Sequence, residues 1–209
     1  MTANIHLLFS KVLYVKKINI DCNQILNIVK KQTWSVSGLP RDKNNKQISL
    51  ASKNKKVLDD VKYKNLKKEI MKEFYEYAHK ILNYTNNKFK MTTSWFTKTE
   101  KGKESNYHNH SNCMISGVLY LQTDDKSGSI NFIDYSNRRF KLISKEYHVY
   151  NCMDFTFVPK NGLILFFPSE MHHKILRNES DITRYSIAFN LVPYGDIWIK
   201  GDDSYLNLK

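Results

Sequence analysis

From residue 91 onward, the sequence is a series of short runs rich in β-branched and aromatic residues, separated by Gly, Asn, Asp and Pro. The runs follow one another at intervals of roughly 8 to 12 residues, which is the spacing of strands in an all-β sandwich or barrel. For about eight such strands, a jelly roll is the most economical architecture. The predicted strands are 91–97, 114–122, 129–133, 147–150, 155–158, 163–167, 173–176 and 184–192.

Two helical stretches precede these runs. Asp21, with Gln24 three residues later, fits a capping box, and the apolar spacing after it predicts a short helix that ends near Lys31. A longer helix begins at Asp59 or Asp60 and repeats apolar residues at every fourth position. This second helix has one apolar side, so we expect it to pack on a sheet. The predicted fold is mainly β with flanking helices: a double-stranded β-helix (jelly-roll) barrel with N-terminal helices on one sheet.

The chain has the length and composition of a single domain. With 209 residues, 41% of them hydrophobic, it is long enough for one substantial core. We expect a helical support region over 1–90, a jelly-roll core over 91–194 and a C-terminal tail over 195–209. The segment 34–56 is polar and is broken by glycine and proline, which predicts an extended loop or an irregular connection between strands.

Hydropathy and cysteine usage limit where the protein can work. No apolar run approaches the ~18 to 20 residues that a membrane helix requires, which excludes a transmembrane protein. The N-terminal apolar run 7–9 is short and lacks a small-residue cleavage site, so we expect no secretory signal. Cys22, Cys113 and Cys152 are odd in number and widely spaced, which indicates free thiols in a reducing cytoplasm.

The net charge of +13 at pH 7 has two explanations. Basic proteins gain affinity for nucleic acid by displacing counterions from phosphates. Of the 33 basic residues, however, five are arginine, the residue that phosphate and base recognition favour. The lysines are scattered among many Asn, Ile, Tyr and Phe, a mixture typical of codon bias in an A/T-rich genome. A non-enzymatic basic module that binds nucleic acid is kept as an alternative function.

Four of the seven histidines fall in two tight groups. His108 and His110 are two residues apart in a polar stretch, and residues at this spacing on an extended chain point to the same side. His172 and His173 follow the apolar run 163–167, and strand parity separates them. A buried strand that delivers a histidine at its far end, in a chain that already supplies a His-x-His pair, is the arrangement by which a barrel assembles a mononuclear metal site in its mouth.

The run 184–191 alternates strictly between two kinds of side chain. Arg184, Ser186, Ala188 and Asn190 fall on one face, whereas the other face is entirely apolar. An arginine at an inward-facing strand position needs an anionic partner, because burying an unpaired guanidinium costs several kcal/mol. A dicarboxylate cosubstrate would supply that partner.

Several ordered motifs in the C-terminal half resemble one enzyme superfamily. They are SGVLYL at 116–121, SGSINFID at 127–134, GLILFFPS at 162–169, the histidine at position 173, and RYSIAFN at 184–190. Together with the His-x-His pair, this combination resembles the Fe(II)/2-oxoglutarate-dependent oxygenase superfamily, and most closely its small "putative 2OG-Fe(II) oxygenase" family.

The resemblance implies a role for individual residues. In the superfamily a histidine, a carboxylate two residues later and a distal histidine hold Fe(II), and 2-oxoglutarate and dioxygen are the cosubstrates. His108 is then the first ligand and His173 the distal one. Arg184 is expected to pair with the C5 carboxylate of 2-oxoglutarate, with the Ser186 hydroxyl as its helper. Tyr120 would donate a further hydroxyl to the cosubstrate or would fill the barrel.

Position 110 departs from the family pattern, because this chain has histidine where a carboxylate is expected. Three arrangements follow: His108, His110 and His173 all bind the metal, Asp134 supplies the carboxylate, or the third position stays open. We favour three histidines, because the spacing already directs His110 toward His108. His172 competes as the distal ligand, and we prefer His173 because the family has a single histidine at that offset.

The activity implied by the resemblance is that of a non-haem Fe(II)- and 2-oxoglutarate-dependent dioxygenase. It would hydroxylate an unidentified substrate and release succinate and carbon dioxide. Segments 34–56 and 135–147 are candidate lids over the barrel mouth. The alternative within the same fold is a cupin-type three-histidine metalloenzyme that does not use 2-oxoglutarate, in which Arg184 would anchor the substrate. The sequence specifies neither the primary substrate nor the oligomeric state.

Overall fold

Two antiparallel sheets form the frame of the protein, and the helices lie outside one of them. The computed structural model describes residues 3–37, 48–84, 87–135 and 142–209. In chain order the elements are β1 (Tyr14–Lys17), α1 (Cys22–Val29), β2 (Trp34–Val36), β3 (Leu50–Ser52), α2 (Lys64–Tyr75), β4 (Lys88–Thr99), β5 (Ile115–Gln122), β6 (Ile130–Ile133), β7 (Asp154–Phe157), β8 (Leu163–Pro168), β9 (His172–Ile175), β10 (Arg184–Ile197) and β11 (Leu206–Leu208).

The strand order confirms the predicted jelly roll. The larger sheet runs β1-β8-β5-β10-β4-β3-β2, with β11 paired to the end of β10, and the smaller sheet runs β7-β6-β9. Strands that are distant in sequence are neighbours in both sheets: β8 lies between β1 and β5, and β9 pairs with β6. This interleaving brings the segment that precedes β5 next to β9, where the two histidine groups meet.

The two faces of the larger sheet pack against two separate hydrophobic cores. The face of the larger sheet that meets α1 and α2 is mainly apolar, and Phe74 of α2 contacts Phe166 of β8 edge to face at 5.6 Å between ring centroids. A smaller cluster fills the space between the sheets, where Tyr120 and Phe167 of the larger sheet meet Phe132 of the smaller one. Alternate residues of one strand therefore serve two different interiors.

Gly117 marks the closest approach inside the larger sheet. A Cβ at this position would lie 2.3 Å from the ring of Phe189 on the neighbouring strand β10 and 2.8 Å from the backbone oxygen of Leu165 on β8. The absence of a side chain on β5 lets the Phe189 ring lie flat against that strand. The glycine of the SGVLYL motif is therefore explained by packing.

Both predicted helices are present, and the second differs in its ends. The Asp21 carboxylate accepts a hydrogen bond of 3.0 Å from the Gln24 amide and caps α1, as predicted. Two short 3₁₀ turns, Val57–Asp59 and Val61–Tyr63, precede α2, and a π-helical stretch, Glu76–Ile81, follows it. The predicted continuous helix is thus three kinds of helix in series with one buried apolar side.

Two segment predictions are wrong. Residues 147–150 form a turn and not a strand, because the His148 carbonyl accepts hydrogen bonds from the amides of Asn151 and Cys152 and so closes the chain locally. Within the predicted loop 34–56, β2 and β3 pair with each other, and β3 extends the larger sheet beside β4. The part of that segment at 38–47 lies outside the described residues.

The N-terminal part of the chain contributes more than helices. Strand β1 pairs with β8 along one edge of the larger sheet, and β2 and β3 form the other edge. Division of the chain into regions 1–90, 91–194 and 195–209 stays a proposal. Among the described residues, none of the helices combines the length and apolar character that crossing a bilayer requires. The three cysteines are free thiols.

Candidate active site

The backbone brings the two histidine groups together. His108 and His173 form an antiparallel bridge, in which the His108 amide donates to the His173 carbonyl at 3.0 Å and the His173 amide donates back at 2.8 Å. The amide of His110 donates to the Ser169 carbonyl at 3.0 Å, at the end of β8. Main-chain hydrogen bonds therefore hold the His-x-His segment against β9 without any contribution from the side chains.

The three imidazoles form a compact cluster. One ring nitrogen of each of His108, His110 and His173 lies within 4.8 Å of the others. The ring centroids of His108 and His173 are 4.5 Å apart, and that of His110 lies 5.2 Å from each. Three nitrogen donors at this separation can surround a single ion.

Backbone carbonyls fix the tautomer of two of these rings. The Nδ1 atom of His108 lies 2.9 Å from the carbonyl oxygen of Asn106, and that of His173 lies 2.9 Å from the carbonyl oxygen of Met171. Because a carbonyl can only accept, each Nδ1 carries the proton and donates it. The neutral rings therefore present unprotonated Nε2 atoms, which is the arrangement that outer hydrogen bonds give to metal-binding histidines.

The environment keeps the cluster uncharged. Desolvation lowers the pKa of His108 and of His173, the latter well below its usual value, and outweighs the opposing effect of the backbone hydrogen bond that each Nδ1 makes. Burial beside His108 lowers the pKa of His110 to about 4. Neutral imidazoles are the form that binds transition metals, so the donor set fits a divalent ion such as Fe(II).

His110, the residue that departs from the family pattern, has its own support. Its ring stacks on Trp95 of β4, with centroids 5.6 Å apart, and hydrogen-bonds to the Asn190 side chain. Asn190 is itself held by the hydroxyls of Ser116 at 2.9 Å and Thr93 at 3.0 Å. Three strands of the larger sheet thus orient this imidazole.

The two competing ligands do not join the cluster. β6 ends at Ile133, and the next residue, Asp134, lines a separate groove together with Cys152 and Met153. His172 faces the opposite way from His173 and packs edge-on against Tyr135 at 5.1 Å. Strand alternation accounts for the second result. Asp134 is therefore not part of the three-histidine cluster, and its role as the alternative third ligand stays a prediction.

A small inner cavity of about 80 Å³ joins the histidines to Arg184. Arg184 is 1% exposed, and its Nε and Nη1 atoms have no hydrogen-bond partner among the described residues. None of the described residues that line the cavity is acidic. Burial lowers the pKa of this guanidinium. A buried cation without a counterion is costly unless an anionic ligand completes the site.

Hydroxyl groups surround that guanidinium. The Arg184 Cζ atom lies 4.9 Å from the ring centroid of Tyr120, whose buried hydroxyl interacts with no described side chain other than Arg184. The hydroxyls of Ser186 and Thr97 share a 2.5 Å hydrogen bond across β10 and β4. A cation with unused donors, bordered by hydroxyls, is a suitable receptor for a carboxylate.

Sequence reasoning missed the contribution of β4. Thr93, Trp95 and Thr97 alternate along this strand and face the site opposite Asn190, Ala188 and Ser186. Their period-two spacing was visible in the sequence, and pairing with the RYSIAFN strand would have identified them. The Lys55 side chain, which lines the mouth, had no such signal, because it lies in an irregular segment.

The predicted lid segments also reach the mouth. Ser37, Ile48, Ala51 and Lys55 of segment 34–56 line an outer cleft of about 410 Å³ in front of the histidines. Of segment 135–147, residues 136–141 lie outside the described residues. Tyr135 contacts the ring of Tyr107 edge-on at 6.4 Å. Closure over the mouth stays a prediction for both segments.

Comparison with known proteins bears on the fold and on the family. Residues 93–190, which include the three histidines and Arg184, match the family model described as "Putative 2OG-Fe(II) oxygenase". No protein with a curated description matches the chain in sequence. Among solved structures, a Pseudomonas putida prolyl-4-hydroxylase superimposes with a TM-score of 0.58 at 12% identity, over 85% of this chain and 91% of that chain.

Two further structures give the same result. A prolyl hydroxylase from Trichoplax adhaerens, in complex with a peptide fragment of hypoxia inducible factor, has a TM-score of 0.57 at 14% identity, over 86% of this chain and 83% of that chain. HygX from Streptomyces hygroscopicus, with nickel, 2-oxoglutarate and hygromycin B bound, has a TM-score of 0.56 at 11% identity, over 87% and 82%. At such identities these structures establish the fold, whereas the family rests on the sequence match. The match over residues 93–190 assigns this part of the chain to the 2OG-Fe(II) oxygenase family, whose enzymes depend on Fe(II) and 2-oxoglutarate.

Proposed function

We propose that His108, His110 and His173 hold Fe(II) and that Arg184 and Ser186 bind the C5 carboxylate of 2-oxoglutarate. The protein would then hydroxylate a primary substrate bound in the outer cleft. The observation that carries this proposal is that one inner cavity is lined both by the three histidines and by Arg184, whose Nε and Nη1 atoms have no hydrogen-bond partner among the described residues. A keto diacid has one carboxylate for the metal ion that the histidines would hold and a second carboxylate for Arg184.

The charge balance of the site supports the same ligand. Three neutral imidazoles leave a bound divalent ion one charge more positive than two imidazoles and a carboxylate would. Arg184 adds a further positive charge, and none of the described residues lining the cavity offsets it. A dianionic cosubstrate therefore enters a cavity that has no carboxylate to repel it.

Each residue of the chain has a defined task in this proposal. When bound, Fe(II) together with 2-oxoglutarate supplies the oxidising chemistry that places one oxygen atom of dioxygen on the substrate while the cosubstrate becomes succinate and carbon dioxide. Arg184 orients the cosubstrate by pairing with its C5 carboxylate, and Tyr120 donates its buried hydroxyl to the same group. Trp95 and Asn190 hold His110 in one orientation.

Calorimetry tests the cosubstrate assignment without turnover. The protein is loaded with Ni(II), which replaces Fe(II) to prevent oxidation, and is titrated with 2-oxoglutarate. In Arg184→Met we expect affinity to fall by at least about 30-fold, because truncating one partner of a buried charge pair costs about 2–5 kcal/mol.

Arg177→Met is the matched control, since it removes the same charge from an exposed position. We expect it to bind 2-oxoglutarate as the unaltered protein does. Equal binding by the Arg184→Met and Arg177→Met variants, or no binding by the unaltered protein, would remove 2-oxoglutarate from the proposal.

A second candidate follows from the histidine at position 110. A three-imidazole set without a carboxylate favours a cupin-type metalloenzyme in which Arg184 anchors an anionic substrate directly. The same titration separates the two functions, because that enzyme would bind the metal and leave 2-oxoglutarate in solution.

The basic charge and the cysteines support two further proposals. The net charge of +13 suits a nucleic-acid partner, and a DNA affinity that falls steeply with salt concentration would support one. Absent or salt-insensitive binding would dismiss it. Three free thiols agree with a cytoplasmic location, in which cysteines stay reduced.

A further inference from the structure

The outer cleft has a chemical character of its own. It shares Trp95, His108 and His110 with the inner cavity and opens to solvent in front of them. Its walls combine the aromatic ring of Tyr107 with the side-chain amides of Asn106, Asn109 and Asn190. Whatever occupies this cleft lies directly beside the histidine cluster.

Lys55 supplies the only charged side chain among the described residues that line the cleft. Its Nζ atom donates a 2.9 Å hydrogen bond to the Ser52 carbonyl. This bond uses one of the three N–H groups of the ammonium. None of the ion pairs formed by the described residues includes it. The residue stays accessible to solvent, while its ammonium group is partly buried against the cleft wall.

The backbone around Lys55 is firmly attached to the sheet. The Lys55 carbonyl accepts a 2.8 Å hydrogen bond from the amide of Ser94 on β4, and the Ser94 hydroxyl accepts a 2.9 Å hydrogen bond from the amide of Leu58. Ser94 lies between Thr93 and Trp95, which both line the same cleft as Lys55. The main chain at Lys55 is therefore attached to the sheet that forms the cleft wall.

Lys174 provides an instructive contrast. It also lies near the cleft, with its Nζ atom 5.2 Å from the ring centroid of Tyr107, but Glu104 faces it at 3.5 Å and neutralises it. No carboxylate in the described part of the chain forms an ion pair with Lys55. Desolvation alone lowers the pKa of Lys55, and no neighbouring charge contributes. An ammonium in this situation gains from any anion that enters the cleft.

We propose that Lys55 is the substrate anchor of the outer cleft, and that the primary substrate bears an anionic group, a carboxylate or a phosphate, beside the part that faces the histidines. This inference rests on the proposed function, since it assigns the substrate class of the same site. The anion would pair with Lys55, while an adjoining flat or apolar portion of the substrate would contact Trp95 and Tyr107.

Site-resolved acetylation of the full-length protein tests the proposal. The protein is treated with an amine-reactive acetylating reagent, and mass spectrometry of its peptides gives separate rates for Lys55 and for Lys53. Lys53 is an exposed lysine of the same segment that does not line the cleft, so it reports general changes in reactivity. The probes are two matched pairs, N-acetyl-aspartate amide with N-acetyl-asparagine amide, and N-acetyl-phosphoserine amide with N-acetyl-serine amide.

We expect an acidic probe to slow acetylation of Lys55 by about threefold at twice its Kd, because one third of the sites are then free. Its neutral partner and matched sodium chloride should leave the rate unchanged, as should every probe at Lys53. Protection by phosphoserine alone assigns a phosphate, by aspartate alone a carboxylate, and by both an anion recognised by charge. Equal slowing of Lys53 and Lys55, or protection by neither acidic probe, overturns the proposal.

A pair of variants provides the second measurement. Lys55→Met should weaken calorimetric binding of the protective probe by about tenfold or more, as loss of a charged hydrogen bond predicts. Lys53→Met removes the same charge and should bind the probe normally. All of these measurements are made with and without Ni(II) and 2-oxoglutarate. Failure of the cosubstrate titration, with Lys55 still protected, would therefore reject the proposed function separately from the anion site.

Discussion

The two faces of β10 differ in what they contribute to the protein. Toward the helices the strand presents Ile187 and Phe189, which are fully buried in an apolar cluster. Toward the smaller sheet it presents Arg184, Ser186 and Asn190, which line the cavities. One backbone therefore supports both a stabilising face and a face with unsatisfied polar groups. The comparison teaches that the apolar side offsets the cost of keeping a functional side open.

The largest effect is expected on the helix-facing side. Phe189→Ala removes a fully buried ring that packs on Phe166 at 5.7 Å and covers Gly117. The free energy of unfolding should fall by about 3–5 kcal/mol, the usual cost of a large-to-small change in a packed core. Urea denaturation of the metal-free protein measures this loss. A decrease below about 1 kcal/mol would mean that this face is not the one that stabilises the sheet.

The opposite face should respond in the opposite direction. In the metal-free protein Arg184 is a buried cation with two unpartnered nitrogen atoms. Arg184→Met keeps much of the volume and removes the charge, so the free energy of unfolding should rise by about 1–3 kcal/mol. Urea denaturation without metal or 2-oxoglutarate provides the measurement. A loss of stability in Arg184→Met would contradict the contrast between the two faces.

The contrast between the faces could be predicted from the sequence, because a strict period of two along 184–191 assigns alternate residues to opposite sides. The histidine pairs were predictable for the same reason. Strand β1, at four residues, and β2 and β3, at three residues each, place too few side chains on each face to show a period. They are strands because the larger sheet offers them edges, which is a long-range effect.

The surroundings of the site were less accessible to sequence reasoning. Trp95 reaches His110 because β4 pairs with β10, and Lys55 reaches the cleft because its carbonyl binds Ser94 of the same strand. Neither contact has a local signature, since both depend on register between distant segments. Asp134 lies outside the cluster of three histidines, and its placement likewise depends on the pairing of β6 with segments distant in sequence.

The smallest expected effect concerns the proton of His110, which precedes β5 and bonds to Asn190 on the polar face of β10. The pKa of His110 is lowered to about 4 by burial, so between this value and its ordinary value of 6.5 the unfolded chain binds a proton that the folded protein does not. Stability of the metal-free protein should therefore decrease as the pH falls below about 6.5, and a single histidine accounts for about 1 kcal/mol between pH 7.5 and 5.5. The lowered pKa values of His108 and His173 act in the same direction.

His110→Gln isolates this contribution, because glutamine does not titrate. Denaturation of the metal-free variant at pH 7.5 and 5.5 should show a pH dependence shallower by about 1 kcal/mol than that of the unaltered protein. Phe189→Ala, which lies on the other face, should keep the full pH dependence even though it is much less stable. If it instead flattened the pH dependence as His110→Gln does, the two faces of β10 would be energetically coupled. In that case the apolar face of β10 would influence the protonation of His110, and the two faces would not have the separate roles that the geometry predicts.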